Sequence, residues 1–222
     1  MIVGLLTVKD WIIFIHTLKE GMMIVPMNIK PRQLEIIEAT GKLLTTSGIN
    51  GLTIKNLAYE MNFSESALYR HFSSKEEIIV TLLNYLNENV NKIFKESPIS
   101  GVFEKDFTVL FKELTYYFKE NPFYVVVVFS EGLINESARI GEKIIQLMDS
   151  LTKHAQAIIK EGQDKDLITR SLTSEQVVQI IIPAFRHQMF RWKISNFESD
   201  ITQSIESLSG SLLELLKRRS EQ

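Results

Sequence analysis

The chain contains no cysteine among its 222 residues. Disulfide bonds and thiolate chemistry are therefore excluded, and this composition is typical of a protein in the reducing cytoplasm. Common enzyme motifs are also missing, because there is no G-x-S-x-G, no H-E-x-x-H and no glycine-rich phosphate loop. The four histidines lack metal-ligand spacing, so the sequence predicts no enzyme, no metal site and no cofactor.

Long hydrophobic runs are scarce. Residues 11–18 are apolar, but charged pairs flank them, and a membrane span needs about 20 residues. No small-residue cleavage site of a signal peptide follows. We expect no membrane partner, and we interpret residues 1–26 as an extension from a start assigned too far upstream, with Met22, Met23 or Met27 as the true start. The alternative is an amphipathic arm that docks on the protein body.

Residues 51–76 carry the most informative pattern. Two short apolar segments are separated by a tight turn at Asn62, which tolerates the left-handed conformation. Thr53 and Ser64 are placed to cap the two helices, and a capping box is predicted from Ser73 to Glu76 at the start of a third. This order predicts a helix-turn-helix unit, whose second helix lies in the DNA major groove.

The residues around this unit resemble the DNA-binding domain of the TetR/AcrR family of transcriptional regulators. The matching segments are Ile36-Ile37-Glu38-Ala39, Leu43-Leu44, Leu52-Thr53-Ile54, Leu57-Ala58, Leu68-Tyr69-Arg70-His71-Phe72 and Ser74-Lys75-Glu76-Glu77. They cover roughly 50 residues. Asn62 departs from the family, which usually has Gly there; the change is conservative for the backbone.

The resemblance implies an all-α protein with a DNA-binding domain at 27–78 and a helical ligand-binding and dimerisation domain at 79–222. We expect Arg70 and Glu65 to read bases, and helix-start and flanking residues to contact phosphates. The predicted DNA-binding residues are Thr53, Lys55, Ser64, Glu65, Ser66, Ala67, Tyr69, Arg70, His71 and Lys75. Because 27–78 hold six Lys/Arg and six Asp/Glu, we expect only local attraction to phosphate.

The remaining chain is predicted to be helical over six segments: 74–95, 102–120, 123–129, 136–162, 174–195 and 199–218. The run 123–129 is β-branched, but it has no strand to pair with, so we predict a short buried helix. The segment 174–195 is apolar nearly all round and is expected to be buried on more than one side. Gly210, in the middle of the last helix, favours close approach of a facing helix.

The family resemblance further implies a homodimer formed through the last two helices (174–218) and a pocket for a small apolar or amphipathic effector. Arg186 and His187 are expected to be buried within their helix, beside a bend at Pro183. The candidate effector residues are Phe107, Phe111, Tyr117, Phe123, Phe129, Glu131, His154, Phe185, Arg186 and Met189. For each of these residues taken singly, a position in the hydrophobic core is a simpler interpretation than a contact with a ligand.

The functional prediction is a DNA-binding transcriptional regulator, specifically a ligand-responsive repressor that binds a palindromic operator as a dimer. One alternative is a DNA-anchored protein-interaction module without a small effector, as in family members that regulate cell division. Another is an enzyme with a novel site. Deep cavities favour effector control, whereas a flat exposed apolar patch favours a protein partner.

Overall fold

A computed structural model describes residues 29–97 and 99–218, so the expectations for residues 1–26 lie outside it. These residues form ten helices: α1 (Pro31–Gly51), α2 (Ile54–Glu60), α3 (Glu65–Tyr69), α4 (Lys75–Glu96), α5 (Phe103–Glu120), α6 (Phe123–Val128), α7 (Glu131–Glu136), α8 (Ala138–Asp164), α9 (Ser174–Ile194) and α10 (Ile201–Leu216). The all-α prediction is confirmed. None of the described helices is both long and apolar enough to cross a membrane.

Two groups of helices share α4. The first group packs α1 against α2 and α4, with α3 against α2; the second surrounds α8, which contacts α4, α5, α7 and α9. α10 packs against α5 and lies beside α9, while α8 also packs against α5, and Phe107 and Phe111 of α5 are almost completely buried. The short α6 packs on both α1 and α9, so it joins the two groups.

The boundaries of several helices follow local signals. Gly48 has a φ of 62° and interrupts α1 before its end. The run Phe123–Val128 is helical, which confirms the preference for a buried helix over a strand. Thr173 and Asp200 cap α9 and α10, since each side chain accepts a hydrogen bond from the backbone N–H three residues later.

Three predicted boundaries are wrong. The helix predicted from residue 136 is split, because Ser137 leaves helical geometry (φ −154°) and caps α8 by accepting from Ile140 N at 3.3 Å. The preceding α7 was not predicted, and α8 continues to Asp164, two residues beyond the predicted end at 162. The predicted capping box of Ser73 and Glu76 is also not formed, because Ser74 caps α4 by accepting from Glu77 N at 3.1 Å and the Glu77 carboxylate accepts from Ser73 N.

α9 and α10 differ from the prediction in their outward faces. α9 buries one stripe, including Val177, Phe185 and Trp192, but its opposite side is exposed within this chain. Arg186 and His187 belong to the exposed side, so the prediction that they are buried is wrong for the single chain. A Cβ placed on Gly210 of α10 would meet no atom within 4 Å, so no helix of the described chain approaches there.

Candidate DNA-binding surface and effector cavity

The turn between α2 and α3 is closed by a set of backbone hydrogen bonds. Asn62 has a φ of 54°, which confirms the left-handed conformation expected for it. Phe63 N donates to Ala58 O at 2.8 Å and Asn62 N donates to Tyr59 O at 3.1 Å. This pair of bonds is the Schellman motif, which ends a helix within one residue. The motif therefore fixes the angle at which α3 leaves α2.

Side-chain caps hold both helices of the unit. Thr53 Oγ1 accepts from Asn56 N at 3.1 Å, and Ser64 Oγ accepts from Ala67 N at 3.2 Å. Both predicted caps are thus confirmed. Leu68 and Phe72 are buried at 1% and 3% exposure and anchor α3 to the core beneath it. Because the apolar side of α3 faces inward, its polar side chains are left on the opposite surface.

That surface holds the residues predicted to contact DNA. Thr53, Lys55, Ser64, Glu65, Ser66, Tyr69 and Arg70 are exposed, and Ala67, His71 and Lys75 are partly buried at its edge. α3 itself is only five residues long, but Arg70 keeps helical dihedral angles and His71 N donates to Leu68 O at 2.9 Å. Seven of the ten residues are therefore exposed and three are partly buried; their roles in DNA binding remain predictions.

Several acidic residues of this domain are engaged by partners. Glu60 pairs with Lys42 of α1, and Glu76 forms an ion pair with Arg139 of α8 at 3.0 Å. Glu77 accepts hydrogen bonds from the backbone N and from Oγ of Ser73. The serine contacts lower the pKa of the Glu77 carboxyl. Sequence reasoning missed the pair with Arg139, because it joins residues 63 positions apart.

A cavity of about 350 Å³ lies in the second group of helices, between the end of α4, the start of α5 and α8. Its lining is Ile93, Phe94, Ser97, Ile99, Ser100, Lys105, Asp106, Val109, Leu110, Glu113, His154 and Ile158. The volume is at the lower end of the range found for small-molecule sites. Of the predicted effector residues, only His154 lines this cavity.

His154 lies flat against Phe94, with ring centroids 4.0 Å apart and an interplanar angle of 3°. Burial lowers the pKa of the His154 imidazole, although the negative charge of Asp106 opposes that shift. Asp106 also lines the cavity. Its carboxylate accepts hydrogen bonds from Ser100 N, Ser100 Oγ and Gly101 N at 2.9, 2.6 and 2.9 Å. Burial raises the pKa of the Asp106 carboxyl, but these hydrogen bonds outweigh it, so the pKa is lowered overall.

The other predicted effector residues lie elsewhere. Phe107, Phe111, Phe185 and Met189 are packed in the core, where the Phe111 and Phe185 rings are 5.3 Å apart. Tyr117 stacks on Tyr124, and burial raises the pKa of both phenols. Phe129 lies beneath Arg186, whose guanidinium carbon is 5.0 Å from the ring centroid, and Glu131 is exposed at the start of α7.

Phe123 has a different position, between the two groups of helices. Its ring lies directly over the backbone of Gly41 in α1, so close that a Cβ on Gly41 would be 2.9 Å from Phe123 Cδ1. The ring also contacts Tyr124, with centroids 4.3 Å apart. The Phe123 contact links the DNA-binding unit to α6, and the Glu76–Arg139 pair links it to α8, one of the helices around the cavity.

Comparison with known proteins agrees with this arrangement. Residues 36–82 match the model of the bacterial regulatory proteins, tetR family. Nucleoid occlusion factor SlmA of Shewanella pealeana is 29% identical over 134 residues, which cover 59% of this chain and 66%, just under two thirds, of that protein. SlmA of Vibrio atlanticus is 27% identical over 182 residues, covering 79% of this chain and 91% of that one.

Solved structures share the fold over most of the chain. The fatty acid degradation regulator FadR from Bacillus halodurans has a TM-score of 0.73 at 16% identity, covering 84% of this chain and 97% of its own. FadR from Bacillus subtilis, solved in complex with stearoyl-CoA, has a TM-score of 0.68 at 16% identity, with 83% and 97% covered. At this identity the likeness concerns the fold alone.

Proposed function

We propose that this chain, which belongs to the TetR family of bacterial regulatory proteins and is a DNA-binding transcriptional regulator, acts as a ligand-responsive repressor. In this proposal a homodimer binds a palindromic operator, and an effector in the cavity beside His154 releases it. The observation that carries the proposal is the cavity of about 350 Å³ within the second group of helices. Its apolar and polar lining suits a small amphipathic molecule.

The exposed side of α9 supports the dimer. Ile180, Phe190 and Ile194 are 52%, 41% and 65% exposed, and Leu215 of α10 is 72% exposed. Large apolar side chains at such exposure along one helix face favour a protein interface. Gly210 leaves open space on the neighbouring α10, where a helix of a second protomer has room to approach. A two-fold axis through this face would present two α3 helices to two half-sites.

Binding of an effector in the cavity can change DNA binding through α4, which reaches both sites. α4 runs from Lys75, beside α3, to Ile93 and Phe94 in the cavity wall, so one rigid element reaches both sites. An effector that binds better when α4 is displaced weakens DNA binding by the same factor by which DNA weakens effector binding. The Glu76–Arg139 pair, which joins α4 to α8, has to adjust to the same displacement.

The test of effector control is a variant that fills the cavity. Val109→Trp places a bulky ring in the lining, whereas Ile145→Trp adds the same ring at a position 60% exposed and outside the lining. Phe111→Trp is unsuitable, because Phe111 is core and the larger ring would overpack it. Small amphipathic molecules are screened for release of DNA from the wild type, and stearoyl-CoA, the ligand in the Bacillus subtilis FadR structure, is tested separately because it is too large for the cavity to enclose.

We expect the Val109 variant to bind DNA but to resist release, and the Ile145 variant to behave as the wild type. Equal release of DNA from both variants would show that the effector binds elsewhere. Failure of every molecule to release the wild type would count against effector control.

A second candidate function is a DNA-anchored protein that acts on a protein partner. It is favoured by the relatives named nucleoid occlusion factor, whose similarity reaches 91% of the Vibrio atlanticus protein. The two functions predict different responses to DNA. A partner-binding module is expected to capture its partner on DNA without release, whereas a repressor is expected to lose DNA when its effector binds.

A further inference from the structure

The first turn of α1 lies beside the recognition helix. Gln33 Nε2 donates to His71 O at 3.0 Å, which joins this turn to the residue that follows Arg70. The guanidinium of Arg32 lies 5.4 Å from the Phe63 ring centroid, at the corner that precedes α3. The two contacts therefore hold the first turn of α1 against both ends of α3, next to the surface that carries the predicted DNA contacts.

Lys30 is the cation that this arrangement brings to the edge of the surface. Its side chain is exposed, and its backbone N donates to Gln33 Oε1 at 3.2 Å, so the hydrogen bond that caps α1 fixes its position. Within residues 29–97 and 99–218, Lys30 forms no ion pair, whereas Arg32 is paired with Glu35. Three helical residues span only about 5 Å along the axis, so Lys30 stays close to the Gln33–His71 contact.

We propose that Lys30 binds a DNA phosphate at the rim of the major groove occupied by α3, which makes the first turn of α1 part of the DNA-binding surface. Phosphates line both rims of a major groove about 12 Å wide, and a helix seated in the groove carries its flanking residues to them. A lysine with a long flexible stem suits such a contact, because a phosphate accepts from a point charge without strict geometry. Lys30 then positions the protein without reading sequence.

The salt dependence of binding tests this role. Each lost phosphate contact lowers the slope of log K against log[salt] by about 0.9. The probe is a fluorescein-labelled DNA duplex that the full-length wild type has selected from a random library. A duplex of scrambled sequence serves as the non-specific control. Lys95→Ala is the matched control, because Lys95 lies 20 residues further along α4 than Lys75, about 30 Å away.

For Lys30→Ala we expect the slope to fall by about 0.9 per protomer on both duplexes, and affinity to fall several-fold on both. Lys95→Ala should leave slope and affinity unchanged. Gln33→Leu removes the donor to His71 O but no charge, so its affinity should fall while most of the slope remains. An unchanged slope for Lys30→Ala, or a loss confined to the selected duplex, would overturn the proposal.

Discussion

The contact between Gly41 and Phe123 gives a stability prediction whose size follows from the geometry. A methyl group at residue 41 would lie 2.9 Å from Phe123 Cδ1 and 3.0 Å from two further ring atoms. Carbon atoms in ordinary contact are about 3.5–4.0 Å apart, so the ring has to retreat by about half an ångström or more. Gly41 lies inside α1, where the lower helix propensity of Gly otherwise makes Ala the better residue.

Gly41→Ala therefore combines two opposing effects. Overpacking costs about 1–3 kcal/mol, and the change from Gly to Ala within a helix contributes about 0.5–1 kcal/mol in the other direction. The expected net loss in the free energy of unfolding is about 0–2.5 kcal/mol, with a central value of about 1 kcal/mol. Gly141→Ala in α8 is the matched control, because its nearest neighbour, Ile134 Cγ2, is 3.8 Å away, and we expect this variant to be slightly more stable than wild type.

Urea unfolding followed by circular dichroism measures both variants, and a double-mutant cycle with Phe123→Leu isolates the contact. Leucine leaves more room above residue 41, so the loss caused by Gly41→Ala should shrink or reverse in that background. The same loss in both backgrounds, or a Gly41 variant as stable as the Gly141 control, would refute the geometry on which the prediction rests.

Three other predictions concern DNA, assembly and pH. Lys75→Ala should weaken binding to all DNA sequences about equally and reduce the salt slope by about 0.9; a changed operator preference in a selection assay would contradict this. Ile194→Glu puts a charge on the exposed side of α9 and should give a monomer by light scattering, while Ile145→Glu should not. Burial lowers the pKa of His154 below 6.5 in the folded state, so unfolding binds a proton, and stability should fall as the pH drops through about 6.5. His154→Phe should remove that dependence in urea titrations at several pH values, and an unchanged profile would show that another group causes it.

Local features of the DNA-binding unit are predictable from sequence because their causes lie within a few residues. Thr53 and Ser64 each cap the helix that begins next to them, and Asn62 supplies the left-handed turn between them. The cap of α4 illustrates the limit of such reasoning. Ser73 and Ser74 are each followed three residues later by a glutamate, so the sequence is compatible with both registers, and the structure adopts the one in which Ser74 is the cap.

The cavity was not predictable in the same way. Its lining combines the end of α4, the following loop and the middle of α8, and the stacking of His154 on Phe94 depends on how those helices cross. The aromatic residues of α5 were predicted to be core more often than ligand contacts, with the pocket implied only by the family resemblance, and Phe107 and Phe111 are indeed buried in the core. A period of apolar residues identifies a buried face without showing whether a helix or a ligand fills the space opposite it.

The net charge of residues 27–78 does not by itself describe the charge near the DNA-binding surface, because some of the charged side chains form ion pairs. Equal numbers of acids and bases predict weak attraction to DNA if every charge is exposed. In the folded chain Glu76 pairs with Arg139, which comes from outside that segment, and Glu60 pairs with Lys42. A carboxylate that forms an ion pair contributes little to the electric potential beyond that pair. The Glu60–Lys42 pair leaves the balance unchanged, because both residues belong to the segment, whereas Arg139 adds beside Glu76 one positive charge that the composition of residues 27–78 does not include.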